Sequence, residues 1–199
     1  MQRDKRKYLR EVPDTWVEVP SDYTSSAKWS PRIGEFFPNF AAQSTMGQLT
    51  FHPYISGSWA IFFSIADPFS MTCTKELARI AAIQPSLRNA GVKTVGVARN
   101  TVPDLQRWCD KVAERSGKEI SFPILSDPDG MLSNTFGMIH PQEDADTTIR
   151  KTIIINPNLR VSMLFEYPLY ITRSTKELLR TLESARRYFS DLDAQGAMA

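Results

Sequence analysis

The residues predict a single α/β domain in which a mixed sheet is sandwiched between helices. Two overlapping strand–helix–strand units predict the parallel part of the sheet. The apolar run Trp59–Ser64, a helix over 73–89 and Val92–Ala98 form the first unit. Val92–Ala98 also opens the second, which continues through a helix starting at Thr101-Val102-Pro103-Asp104 to a short strand over 120–125. A late hairpin, 151–155 against 161–165, supplies the antiparallel part, and a closing helix covers it.

In chain order, residues 1–30 carry Pro13, Pro20 and the polar run from Ser21 to Ser26 without sustained periodicity. They read as an N-terminal extension, partly packed through Trp16, Tyr23 and Trp29. The domain proper spans 31–190. Trp59–Ser64 has no polar alternation and so reads as a strand buried on both faces. The 73–89 helix places Leu77, Ile80 and Leu87 on one stripe, is kinked at Pro85, and is closed by Gly91. Leu105, Trp108, Cys109 and Val112 share one face of the next helix. Ser126-Asp127-Pro128-Asp129-Gly130 ends the short strand, and a short helix over 131–136 follows. Asn156-Pro157-Asn158 turns the hairpin. Ser174-Thr175-Lys176-Glu177 has the form of a capping box for the last helix, whose apolar stripe is Leu178, Leu179 and Leu182; residues 191–199 form a tail. This order of elements describes a thioredoxin-like sandwich.

Composition narrows the function classes. A chain of 199 residues that is 42% apolar can build a proper core. A formal charge of +2 gives no footprint for nucleic acid or an anionic membrane. The basic start (Arg3, Lys5, Arg6, Lys7, Arg10) is followed by Tyr8-Leu9-Arg10-Glu11-Val12-Pro13, which is not the apolar core of an export signal. The apolar run at 59–63 is far below the roughly 20 residues a membrane span needs. With two cysteines, the expectation is free thiols in the reducing cytoplasm.

The candidate chemistry centres on Cys73. It sits where the Trp59–Ser64 strand gives way to a helix, and unpaired N–H groups in a helix's first turn stabilise a thiolate. The bland alternative is a small apolar core residue. Ser70 stands three residues ahead, and Arg150 just before another apolar strand. Arg150 is either a solvated strand-edge charge or a group that stabilises the Cys73 thiolate and holds a polar substrate oxygen; Arg173 has the same two readings. Cys109, beside Trp108, is either core or a resolving thiol for Cys73. Thr74, Lys75 and Glu76 follow Cys73, so there is no C-x-x-C pair and disulfide exchange of the thioredoxin type is disfavoured. His52 and His140 are isolated in sequence, and neither glycine-rich phosphate loops nor metal-ligand spacings occur, so no cofactor or metal is expected.

From about residue 33 to 187 the chain resembles a peroxiredoxin, closest to the 1-Cys (peroxiredoxin-6-like) branch. The stretch from Gly34 to Phe40 resembles the family's G-x-x-x-P-N-F, and Gly57 to Ser64 its G-x-S-W-x-x-x-F-S. Ser70-Met71-Thr72-Cys73-Thr74-Lys75-Glu76-Leu77 resembles the loop of the peroxidatic cysteine. Phe122-Pro123-Ile124 with Asp127, Gly137-Met138, Arg150, and Tyr167-Pro168 with Arg173 follow in the family's order.

The resemblance implies a thiol peroxidase. Cys73 would attack a hydroperoxide and become a sulfenic acid, Ser70 would hydrogen-bond the peroxide, Arg150 would stabilise thiolate and leaving oxygen, and Arg173 would support Arg150. An external thioredoxin-, glutaredoxin- or glutathione-like thiol would restore Cys73, unless Cys109, placed like the resolving cysteine of atypical 2-Cys enzymes, bridges to it. A homodimer is implied as well. The loop departs from the family pattern at Ala66, where proline is usual, at Ile65, where this branch has histidine, at Asp67, where arginine is common, and at Met71, where another proline is frequent. Those departures and the aromatic extension motivate an alternative: a catalytically weakened redox sensor or protein-interaction module on the same fold.

Overall fold

The computed structural model describes residues 30–140, 143–144 and 146–194, with side chains described as far as 190. The extension at 1–29 and residues 195–199 lie outside the described residues. The elements run β1 (Ala41–Ser44), β2 (Gly47–Thr50), α1 (Phe51–Ile55), β3 (Trp59–Ser64), α2 (Met71–Asn89), β4 (Val92–Ala98), α3 (Val102–Ser116), β5 (Ile124–Ser126), α4 (Met131–Thr135), β6 (Arg150–Ile155), β7 (Val161–Tyr167) and α5 (Thr175–Ala194). The sheet order is β2-β1-β5-β4-β3-β6-β7. Strands β3, β4 and β5 are parallel, while β6 is antiparallel to β3 and β7 to β6. The expected mixed α/β sandwich is what forms.

Strand alternation divides the core in two. Trp59, Ile61 and Phe63 of β3 point to the face covered by Leu77 and Ile80 of α2, Leu105 and Trp108 of α3, and Leu178 and Leu182 of α5. Ala60 and Phe62 point to the other face, against Phe51, Ile55, Leu132 and Phe136. Every residue of β3 is therefore buried, which explains its unbroken apolar run.

Several boundaries differ from the expectations. The β1–β2 hairpin and α1 are not legible as periodic segments, because their burial is mixed. The hairpin is fixed by its turn instead: Ser44 Oγ donates to Gly47 O at 2.7 Å, and Gly47 takes φ 91°. The strand expected at 120–125 is displaced to Ile124–Ser126, since Pro123 has no N–H for the ladder; its carbonyl accepts from Gly96 N at 3.0 Å. The hairpin turn extends to Arg160, whose carbonyl accepts from Asn156 N at 2.9 Å, with Leu159 in the left-handed region at φ 61°. Helix α5 continues to Ala194 rather than stopping at 190, and Phe189 packs edge-on to Trp59 at 5.4 Å. Its expected capping box is half made. Glu177 N donates to Ser174 Oγ at 3.2 Å, but the Glu177 carboxylate pairs with Arg180. Among the described residues no helix is long and apolar enough to cross a membrane.

Candidate active site

β3 ends at Ser64, and the loop 65–70 carries the chain to α2. Ser70 is the N-cap: its Oγ accepts from Cys73 N at 3.2 Å and donates its proton to Asp67 O at 2.8 Å. The cap fixes Cys73 in the first turn of α2, where its side chain is buried at 2% exposure. Ile65, in the position of the branch's histidine, is also buried and packs in the same apolar cluster as Cys73. Asp67, where the family commonly has arginine, is exposed, so its charge sits in water.

β6 begins with Arg150, next to β3 in the sheet, and this brings its guanidinium to the sulfur. Arg150 Nη1 donates to Cys73 Sγ at 3.6 Å. The same nitrogen lies 3.7 Å from Glu76 Oε2. Arg173, entering from the segment before α5, donates through Nη1 to Glu76 Oε2 at 2.9 Å and through its backbone N to Glu76 Oε1 at 2.7 Å. Its Nε donates to Thr152 Oγ1 at 2.7 Å and its Nη2 to Ser64 O at 2.6 Å and Lys151 O at 2.9 Å. The Arg173 guanidinium also stacks over Phe63, 5.3 Å from the ring centroid. Burial pulls Arg173 down from its ordinary pKa, and Glu76 opposes that pull.

The chain thus brings together Cys73, Ser70, Arg150 and Arg173, all placed in the sequence analysis, and adds Glu76, which sequence reasoning missed. Glu76, Arg150 and Arg173 are each at most 5% exposed. Two guanidiniums against one carboxylate leave a single buried positive charge beside the Cys73 sulfur. The missed signal was a carboxylate three residues after Cys73, on a helix stripe otherwise given to Leu77 and Ile80. Within this cluster, Arg150 Nε is buried without a hydrogen-bond partner.

Cys109 stands apart from that network. It is half-buried on α3 at the margin of the apolar cluster, and both cysteines are free thiols. Burial, reinforced by Asp110, pushes the Cys109 thiol up to about 12.

Comparison with known proteins gives one consistent family. The pattern of the AhpC/TSA family matches residues 33–164. The 1-Cys peroxiredoxin of Dictyostelium discoideum is 30% identical over 165 residues, covering 80% of this chain and 68% of that protein. Peroxiredoxin-6 of Gallus gallus is 32% identical over 160 residues, covering 76% of this chain and 71% of its own. Among solved structures, a cysteine-to-serine mutant of peroxiredoxin 6 from Arenicola marina superposes with a TM-score of 0.74 at 32% identity, over 78% of this chain and 73% of that one. A yeast mitochondrial 1-Cys peroxiredoxin superposes with a TM-score of 0.75 at 27% identity, over 83% and 79% of the two chains. The chain belongs to the AhpC/TSA family, the peroxiredoxins, and is a thiol peroxidase.

Proposed function

We propose that Cys73 is the peroxidatic thiol of this enzyme, with Ser70 and Arg150 contacting the peroxide and Arg173 holding Arg150 in place through Glu76. The 3.6 Å approach of Arg150 Nη1 to Cys73 Sγ carries the reading. A guanidinium donor in contact with a sulfur in a helix's first turn is the arrangement that nucleophilic thiol chemistry requires. That same contact favours peroxidase chemistry over a weakened sensor, despite the altered loop.

The thiolate attacks the distal oxygen of a hydroperoxide in line with the O–O bond. The S–O bond forms as the O–O bond breaks, the electron pair leaves on the departing oxygen, and a proton converts that oxygen to water or an alcohol. Cys73 is left as a sulfenic acid, oxidised by two electrons. Ser70 has committed its proton to Asp67 O and one lone pair to Cys73 N, so toward substrate it acts as an acceptor for the peroxide O–H. Arg150 Nε is the donor left for charge on the departing oxygen.

An external thiol then condenses with the sulfenic acid, releasing water and forming a mixed disulfide. A second thiol frees Cys73 and leaves with the first as a disulfide. Burial that pushes the Cys109 thiol up to about 12, on a helix apart from the Cys73 network, supports this route over an intrachain bridge. A thioredoxin-, glutaredoxin- or glutathione-like reductant fits it, and the structure of the yeast relative is described as showing thiol resolution through glutathione/thioredoxin systems. The reading takes 31–190 as the catalytic domain of a cytoplasmic homodimer; β7, the outer strand of the sheet, offers an edge to a second copy, and free thiols suit a reducing compartment.

Replacing Cys73 with Ser should abolish peroxide consumption in a folded protein; continued turnover would end the assignment. After one equivalent of hydrogen peroxide, mass spectrometry should find added oxygen on Cys73 rather than the loss of two hydrogens that a bridge to Cys109 would give.

A further inference from the structure

Phe69 is the residue before the cap Ser70, and it has a backbone no large side chain adopts freely. Its φ of 75° places it in the left-handed region. The ring is 41% exposed, yet it is engaged from one side of α3. Lys111 Nζ lies 5.1 Å from its centroid, and the Trp108 ring lies 6.5 Å away at a tilt of 48°. Trp108 and Lys111 are three apart, one turn of the same helix face. Trp108 is itself anchored, fully buried and donating through Nε1 to Thr74 Oγ1 at 3.1 Å, directly after Cys73.

The geometry points to Lys111 as a positioning residue for the known reaction. By holding Phe69 against α3, its ammonium keeps the loop closed over Cys73 and sets how readily an external thiol reaches the oxidised sulfur. This rests on the peroxidatic role of Cys73 given above. A thiol must reach Sγ from the side opposite the S–OH bond, and with the loop in this position Cys73 is only 2% exposed. Movement of the loop is concentrated at Phe69, because leaving the left-handed region relieves the strain there. What opposes the movement is contact with Trp108 and Lys111. α3 is the fixed side, held by Leu105, Trp108 and Val112, each at most 1% exposed. Lys111 is exposed and can be changed without disturbing the core.

The test compares wild type, Lys111→Met and Lys111→Arg, each oxidised with one equivalent of hydrogen peroxide. Capture of the Cys73 sulfenic acid by dimedone and its reduction by glutathione are timed, alongside the oxidation step itself. Loss of an exposed cation–π contact should speed both capture and reduction about two- to fivefold in Lys111→Met. Oxidation should not accelerate, the thermal midpoint should hold, and Lys111→Arg should keep wild-type rates. Equal capture rates in wild type and Lys111→Met would overturn the inference. So would an Arg variant as fast as the Met variant, since charge over the ring would then not be the cause. If wild type formed no dimedone adduct at Cys73 at all, the peroxidatic assignment would fall and take the clasp with it.

Discussion

Glu76 and Arg173 meet twice, through the Arg173 backbone N on Oε1 at 2.7 Å and Nη1 on Oε2 at 2.9 Å, so one carboxylate ties the segment before α5 to the first turns of α2. Both residues are buried, and Arg150 shares Oε2 at 3.7 Å. Removing the carboxylate leaves two guanidiniums facing each other without compensation. Glu76→Gln should therefore lower folding stability by about 3–5 kcal/mol, the range for breaking one side of a buried ion pair. Urea denaturation of the reduced protein measures it. A loss under about 1 kcal/mol would mean the cluster is hydrated enough to tolerate the charge.

Arg150 differs from Arg173 in what it touches. Every guanidinium nitrogen of Arg173 has a protein acceptor, whereas Arg150 directs Nη1 to the sulfur and keeps Nε unpartnered. Arg150→Met keeps much of the side-chain length and leaves the Glu76–Arg173 pair intact. The second-order rate constant for hydrogen peroxide should fall about 100- to 1,000-fold, as for loss of a donor to developing negative charge. Competition against a reference peroxidase reads this directly. Stability should change less than in Glu76→Gln.

Much of this arrangement was legible in the residues. Alternating strand and helix patterns, the Cys at a strand-to-helix junction and the arginine opening a later strand all survive in three dimensions, because each is a local signal tied to one element. Glu76 was not legible as a partner, since a carboxylate on a helix reads as solvated until the fold buries it between two arginines. The β1–β2 hairpin was missed for a different reason. Its register comes from the turn at Ser44 and Gly47, and its partly exposed residues carry no period. Lys151 was invisible as a core residue for the same reason as Glu76: its burial depends on Glu166, directly opposite in the β6–β7 register.

Cys109 gives the pH prediction. Its thiol is pushed up from 9.0 to about 12, chiefly by burial. Native protein binds that proton more tightly than unfolded protein does, so the contribution to stability is full below pH 9 and disappears as pH rises toward 12. Cys109→Ala should flatten the decline of the urea midpoint between those limits. At neutral pH, iodoacetamide should modify Cys109 of the native protein far more slowly than after unfolding, and Cys109→Ser should leave glutathione-supported turnover unchanged. Loss of turnover in that variant would restore the resolving role.

Lys151 is 1% exposed, an unusual depth for an ammonium, and it survives there by spending all its donors. Nζ pairs with Glu166 Oε1 at 2.7 Å and donates to Gly137 O at 3.2 Å and Ser30 Oγ at 3.4 Å. It thereby joins the start of the described chain to the Gly137 turn and the outer strand, one residue along β6 from Arg150. Lys151→Met preserves volume but leaves the Gly137 carbonyl without this donor. Glu166 is 45% exposed and regains water when its partner goes, so the cost is set by the carbonyl rather than by a stranded charge. A loss of about 1–2 kcal/mol follows. The shift should appear in the urea midpoint, with the peroxide rate constant held within about twofold because the Arg150 side of β6 keeps its contacts. A much larger fall in rate would show that the staple transmits to the catalytic face, and that β6 is less rigid than its ladder with β3 implies.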